Sequence, residues 1–223
     1  MSEGFPNDRP GVMIVLAVDT CLFACSAAVV EDGVTRASRI EPMSRGHQER
    51  LAPLVAEVMA QAGIAFDSLD RVGVTVGPGS FTGLRVGLAF AKGLSAALDI
   101  PAVGVGSLEA LARPHQGRVI AALDAKRGQV YLQGFADGVA VSAPDVLALE
   151  TAAARVAELA PDVLVGTGAA LLAEVRPSAK VIGIDHTDPA AVAAVAAARP
   201  PSPPRPLYLR APDAKLPGGR DPS

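Results

Sequence analysis

The chain has 223 residues, half of them apolar, with 19% charged residues, 4% aromatic residues and a net charge of −3. This length and apolar content allow one large domain or two small ones, with a substantial buried core. The acidic balance and the scarcity of aromatic rings argue against a free-standing nucleic-acid-binding protein, which typically carries a basic patch.

The cysteines and the N-terminal residues indicate the cellular compartment in which the protein is expected. Cys21 and Cys25 lie in one apolar stretch, and no other cysteine is present to complete a metal site, so we expect free thiols in a reducing environment. Residues 1–12 lack the features of a secretory signal, and no apolar run is long enough to span a membrane. The sequence predicts a cytoplasmic protein with a disordered extension at residues 1–12.

The first half reads as three antiparallel strands followed by alternating helices and strands. Strand-like runs at 13–18, 25–30 and 34–40 include the hairpin signal Asp32-Gly33. An amphipathic pattern predicts a helix at 47–62 that stops at Gly63. A buried strand at 72–76 leads to a second helix, which Ser80 caps and which ends near Leu98. A strand at 101–105 follows.

The second half is less regular. A short helix is expected at 107–112, and residues 119–123 and 129–135 pair as a hairpin that 139–142 extends. A helix at 150–159, strands at 163–165 and 181–184, and a helix at 189–198 capped by Asp188 complete it. Residues 199–223 contain eight prolines and are predicted to be an extended tail. Alternating strands and helices indicate an α/β protein, with subdomains at 13–110 and 111–198.

The segment Gly77-Pro-Gly-Ser-Phe-Thr-Gly-Leu-Arg85 joins a strand to a helix and has two interpretations. A glycine-rich turn at a helix N-terminus offers backbone N–H groups and a positive dipole end to an anion. The segment is neither a Walker A loop nor a GxGxxG motif, and it also fits a tight, well-capped turn. Asp19 and Thr20, after the first strand, resemble the phosphate-facing turn of actin-like ATPases without its glycine. They join Gly77, Gly79 and Ser80 in a candidate vestigial phosphate site.

The helix at 80–98 is apolar on nearly all sides, so it must be buried on nearly all sides. It is either an internal core helix or, together with helix 47–62, part of a subunit interface. Its small residues recur every four positions and would allow a close approach by another helix. The candidate interface residues are Leu51, Leu54, Val55, Val58, Gly83, Gly87, Leu88 and Ala91.

No catalytic or metal-binding pattern is present in the sequence. The histidines His47, His115 and His186 belong to no HxxxH or HExxH motif, and no GxSxG elbow occurs. We therefore assign no catalytic residue and no metal ligand.

Several segments taken in order resemble the TsaB (YeaZ) family, which was once labelled glycoprotease-like. They are VLAVDTCLFACSAAV, RGHQERLAPLV, GPGSFTGLRVGLAFAKGL, GVGSLEALA, LDAKRGQVY, VGTG and PLYLRAPDAKLP. The match covers roughly residues 13–217. The resemblance implies a duplicated actin-like (ASKHA, ribonuclease H-like) fold with a degenerate second half.

The resemblance also implies a role in making N6-threonylcarbamoyladenosine at position 37 of tRNAs that read codons starting with A. The expected role is that of a non-catalytic dimerisation subunit, which pairs with a TsaD-type catalytic subunit and a TsaE-type ATPase. In their absence the chain is expected to form a homodimer, and to meet tRNA only through the complex. No cofactor is expected beyond weak nucleotide binding or nucleotide held by the partners. The alternative is an ATP-dependent transferase or kinase that uses Asp19, Thr20 and the 77–83 loop.

Overall fold

Two β-sheets organise residues 11–210, the part of the chain that this computed structural model describes. The strands are β1 (Ile14–Asp19), β2 (Ala24–Glu31), β3 (Val34–Pro42), β4 (Arg71–Thr75), β5 (Ala102–Val105), β6 (Arg118–Lys126), β7 (Gln129–Ala136), β8 (Val139–Ala140), β9 (Asp145–Ala148), β10 (Val163–Val165) and β11 (Lys180–Ile182). The helices are α1 (His47–Ala62), α2 (Phe81–Leu98), α3 (Ser107–Ala112), α4 (Leu149–Leu159) and α5 (Pro189–Ala198), with 3-10 helices at Phe66–Ser68 and Ala169–Val175.

The two sheets share one topology. The first has the order β3-β2-β1-β4-β5, and the second has the equivalent order β8-β7-β6-β10-β11, with β9 added beside β7. In each sheet, three antiparallel strands are followed by two strands that run parallel to the first of them. This repeat confirms the predicted duplicated α/β fold of the actin-like class.

The second half is the degenerate copy. Its strands β8, β10 and β11 have only two or three residues each. The connection that the 18-residue α2 makes between β4 and β5 is made between β10 and β11 by the 3-10 helix Ala169–Val175. The smaller second sheet therefore has less apolar surface to bury than the first.

The first sheet is covered on both faces, which explains why β1 is a continuous apolar run. Leu16 and Val18 lie in the cluster that includes α1 and α2. Val15 and Ala17 lie in the opposite cluster, which includes α5. Successive strand residues point to opposite faces, so both sets must be apolar.

The C-terminal part of the described chain returns to the first half. The helix α5 packs on β1, β2 and β4, although the sequence places it after the second half. Residues 199–210, called the strap below, then run without helix or strand between the two halves. The Arg199 guanidinium pairs with Glu109 at 2.7 Å, and the Leu207 N–H donates to the Val76 carbonyl at 2.7 Å. The first sheet thus depends on residues from the far end of the chain.

Local signals in the sequence are confirmed where they concern turns and caps. Asp32 and Gly33 both have positive φ, as a two-residue hairpin requires. The Ser80 hydroxyl accepts a hydrogen bond from the Gly83 N–H, and the Asp188 carboxylate accepts one from the Ala190 N–H. The strand β9 and the 3-10 helix Ala169–Val175 were not predicted.

The described residues include no helix that is both long and apolar enough to cross a membrane. The predictions for residues 1–10 and 211–223 lie outside the described residues.

Candidate functional site

Asp19, the last residue of β1, is buried and fully engaged by donors of its own chain. One carboxylate oxygen accepts hydrogen bonds from the Cys21 N–H at 2.7 Å and the Thr75 hydroxyl at 2.5 Å. The other accepts from the Thr187 hydroxyl at 2.5 Å. These donors come from the β1–β2 turn, the end of β4 and the segment before α5. The carboxylate therefore joins three separate segments, and a buried charge needs such partners.

The 77–83 loop packs directly against the β1–β2 turn. The Ser80 N–H donates to the Cys21 carbonyl at 2.7 Å, and the Thr20 hydroxyl donates to the Gly83 carbonyl at 2.7 Å. A β-carbon on Gly79 would lie 2.3 Å from the Cys21 carbonyl oxygen, and one on Gly83 would lie 1.9 Å from the Thr20 carbonyl oxygen. The glycines therefore permit close contact between the two backbones.

The residues of the candidate phosphate site are brought together by the fold. Asp19 and Thr20 end β1 and begin the turn, and the loop from Gly77 to Ser80 lies against them. The carboxylate of Asp19 and the hydroxyl of Thr20 both bond within the chain.

The candidate interface residues lie inside the chain rather than on its surface. All eight are buried: Leu51, Leu54, Val55, Val58, Gly83, Gly87, Leu88 and Ala91. The apolar stripe of α1 packs on β2 and β3. The small residues of α2 allow close approach to the β1–β2 turn, since a β-carbon on Gly87 would lie 2.7 Å from the Thr20 hydroxyl oxygen.

A different set of residues faces outward from α1 and α2. An open groove runs between the two helices, with exposed alanines at Ala52 and Ala89 and half-buried apolar side chains at Phe81, Val86 and Phe90. We call it the helix groove. The Arg85 guanidinium lies over the Phe81 ring at 3.7 Å from its centroid, which is a cation–π contact.

A second cleft, of about 550 Å³, lies between the two halves, and we call it the central cleft. Its floor includes Cys21 and the loop from Pro78 to Ser80, and the β6–β7 turn and the strap form its walls. The segments LDAKRGQVY and PLYLR contribute to the family resemblance, but neither segment alone predicts a cleft. They come together only in three dimensions, because they are about 80 positions apart in the chain.

No metal centre is formed within residues 11–210, where no three His, Cys, Asp or Glu side chains lie close enough to hold an ion.

The two thiols are expected to be unreactive in the folded protein. Burial raises the pKa of Cys21, and the Asp19 carboxylate raises it further. Burial also raises the pKa of Cys25 to about 11. Because the thiolate is the reactive form, we expect Ellman's reagent at pH 8 to react roughly 100-fold more slowly with the native chain than with the chain in guanidinium chloride. Rapid reaction of either native thiol would contradict this placement.

Comparison with known proteins places the chain in a family. The family model for TsaD, tRNA N6-adenosine threonylcarbamoyltransferase, matches residues 41–161. An uncharacterised protein of Mycobacterium tuberculosis is 38% identical over 215 residues, covering 93% of this chain and 96% of its own. A crystal structure from Pseudomonas aeruginosa, of an uncharacterised protein with similarity to peptidase YEAZ, superposes with a TM-score of 0.75 at 30% identity, covering 89% of this chain and 100% of that one.

The named relatives decide which family this is. The tRNA threonylcarbamoyladenosine biosynthesis protein TsaB of Escherichia coli is 36% identical over 124 residues, which is 53% of each protein. YeaZ from Pseudomonas aeruginosa superposes with a TM-score of 0.70 at 28% identity, over 83% of this chain and 91% of that one. The chain belongs to the TsaB (YeaZ) family. The match to the TsaD model further relates this TsaB-family chain to a transferase family over a region that includes both α1 and α2.

Proposed function

We propose that this chain takes part in the synthesis of N6-threonylcarbamoyladenosine in tRNA as a non-catalytic scaffold subunit. Its partners would be a TsaD-type catalytic subunit and a TsaE-type ATPase in the cytoplasm, and tRNA would be met only through that complex. The names of its TsaB relatives support the pathway. The structural feature that best supports the scaffold role is the helix groove.

The helix groove has the chemistry of a helix-docking surface. Ala52 and Ala89 are exposed and small, so they would let helices of another subunit approach closely. Phe81 and Phe90 are half-buried and provide apolar area, and aromatic side chains are enriched in protein interfaces. Thr82 and Arg85 supply a polar edge, as interface rims typically do.

The relation to TsaD favours that subunit as the occupant. The TsaD model matches the region holding α1 and α2, so a TsaD-type partner would carry corresponding helices. Two helices from each of two related subunits would then pack as a four-helix bundle around a pseudo-twofold axis. A second copy of this chain would present the same surface, which accounts for a homodimer in the absence of the partner.

The alternative, an ATP-dependent transferase or kinase, depends on Asp19. Its carboxylate would have to release the donors of Thr75 and Thr187 before it could meet a metal-bound phosphate. Breaking hydrogen bonds to a buried charged group costs about 1.5–3 kcal/mol each. This cost favours the scaffold over the kinase.

The proposal is tested with Ala89→Glu, which places a charge in the helix groove. An unpaired charge in a dry contact costs roughly 3–5 kcal/mol, so we expect affinity for TsaD to fall by a factor of about 100 or more. Size-exclusion chromatography and calorimetry with purified TsaD measure it. In a reconstituted reaction with TsaD, TsaE, threonylcarbamoyl-adenylate and tRNA, the native chain should support modification and the variant should not.

The matched control is Ala154→Glu, the same change at an exposed alanine of α4, outside the helix groove. It should pair with TsaD and support modification like the native chain, while circular dichroism shows both variants folded. If Ala89→Glu pairs normally, the interface lies elsewhere. If the native chain alone modifies tRNA, the scaffold role is wrong.

A further inference from the structure

The exposed side of α2 carries positive charge only. The helix is charged at two of its 18 positions, Arg85 and Lys92, and both side chains are exposed. They are seven positions apart, so they lie on one side of the helix, about 10 Å apart along its axis. The chain as a whole has a net charge of −3. The outward side of α2 is therefore a cationic stripe on an acidic protein.

Arg85 is the ionisable side chain of the helix groove. The other residues that line the groove within the described part of the chain are apolar or neutral. The Arg85 guanidinium lies 3.7 Å from the centroid of the Phe81 ring, and Tyr208 of the strap contacts the same ring with centroids 5.3 Å apart. This stack restricts the guanidinium before any partner arrives, so that docking costs less side-chain entropy.

The Arg85 guanidinium has no carboxylate partner within residues 11–210, where the ion pairs involve other side chains. Both carboxylates of the neighbouring α1 lie outside the groove lining. One of them, Glu57, already pairs with Arg39 and Arg50. Water solvates an exposed cation, but a subunit that covers Arg85 removes that water and must supply a carboxylate in exchange.

A symmetric contact between two copies of this chain does not meet that need. In a twofold contact, the same patch serves both sides. Each helix groove would then meet another groove that is lined by Arg85 and by no carboxylate. Like charges within one contact weaken association, whereas a carboxylate opposite a guanidinium forms charge-assisted hydrogen bonds.

We propose that Arg85, with Lys92 beside it, selects which subunit occupies the helix groove. The two cations favour a TsaD-type subunit whose docking helices carry carboxylates, and they disfavour a second copy of this chain. Interfaces gain specificity from repulsion of the wrong partner as well as from attraction of the right one. The inference rests on the proposed scaffold function, because it takes the helix groove as the docking surface.

The test is Arg85→Gln, which removes the charge and is expected to move two equilibria in opposite directions. Self-association of the purified chain, measured by sedimentation equilibrium, should strengthen about tenfold, because the repulsion is gone. Affinity for purified TsaD, measured by calorimetry, should weaken about tenfold or more, because a carboxylate of TsaD loses its partner. A loss of packing alone would weaken both contacts.

The matched control is Arg155→Gln, the same change in α4, outside the helix groove. Arg155 pairs with Glu158 across one turn of that helix at 3.5 Å, and both side chains are well exposed. Its loss should leave self-association and affinity for TsaD unchanged. Circular dichroism checks that both variants are folded.

An exchange of charges identifies the carboxylate. Arg85→Glu should abolish pairing with TsaD, and replacing one carboxylate on the docking helices of TsaD with arginine should restore it. The selection is overturned if no such replacement restores pairing. It is also overturned if Arg85→Gln weakens self-association, since a carboxylate of the second copy, such as Glu49 of α1, would then be meeting Arg85.

Failure of this inference and failure of the scaffold function give different results. If Ala89→Glu abolishes pairing with TsaD but Arg85→Gln changes neither equilibrium, the helix groove is the interface and charge does not select its occupant. If Ala89→Glu and Arg85→Gln both pair with TsaD like the native chain, the docking surface is misplaced and both proposals are wrong.

Discussion

Replacing Gly83 with alanine is expected to lower the free energy of unfolding by roughly 3–5 kcal/mol, among the largest effects of a single methyl group. A β-carbon there would lie 1.9 Å from the Thr20 carbonyl oxygen, which is backbone and cannot rotate away. The Thr20 hydroxyl holds the same two segments together through the Gly83 carbonyl. Urea denaturation followed by circular dichroism measures the loss.

The same helix provides the control. Gly93 is exposed in α2, and a β-carbon there would meet no heavy atom within 4 Å. Gly93→Ala should therefore raise the free energy of unfolding by about 0.5–1 kcal/mol, the helix preference of alanine over glycine. Equal effects at the two positions would show that α2 does not contact the β1–β2 turn as described.

The second large effect is expected for Asp19→Ala, at roughly 3–5 kcal/mol of lost stability. The substitution leaves the Thr75 and Thr187 hydroxyls and the Cys21 N–H buried without their acceptor. Thermal and urea unfolding of the purified variant measure the loss. Asp19→Asn keeps one carbonyl oxygen in place and should lose less.

Asp70→Ala serves as the comparison for Asp19→Ala. Asp70 accepts a hydrogen bond from the Ile14 N–H at 2.7 Å at the opposite end of β1, where the contact is only partly buried. Its loss should cost about 1 kcal/mol. The kinase alternative would gain support if the native chain binds ATP with magnesium and Asp19→Asn keeps full stability but loses that binding. Asp19 would then be a nucleotide ligand.

The elements and caps could be predicted because their signals are local. The spacing of Leu51, Leu54, Val55 and Val58 is that of one face of a helix, and α1 has the predicted bounds. The spacing of apolar residues on one helix face does not indicate which part of the protein that face contacts. In α2, apolar and small residues occur on all sides, and the contact with Thr20 that orients it joins residues about 60 positions apart. The pattern therefore could not show which side of α2 faces outward.

The central cleft could not be predicted from the sequence, for a related physical reason. Its cations and rings come from the β1–β2 turn, the β6–β7 turn and the strap, and each segment alone looks like an ordinary polar turn or tail. The proline content of residues 199–210 predicts extended backbone but not where that backbone packs. The Arg210 guanidinium, for example, donates to the Ala125 carbonyl at 2.9 Å, a contact with no local signal.

The position of α5 has a consequence for how the chain folds during synthesis. The strands of the first sheet leave the ribosome early, but the helix that covers Val15, Ala17 and Val103 is among the last described segments to be made. Until then, one apolar face of that sheet is open to water, to chaperones and to other nascent chains. The first half can therefore complete its fold only after α5 has been synthesised. A chain that stops before residue 189 would expose an apolar sheet face that is prone to aggregation.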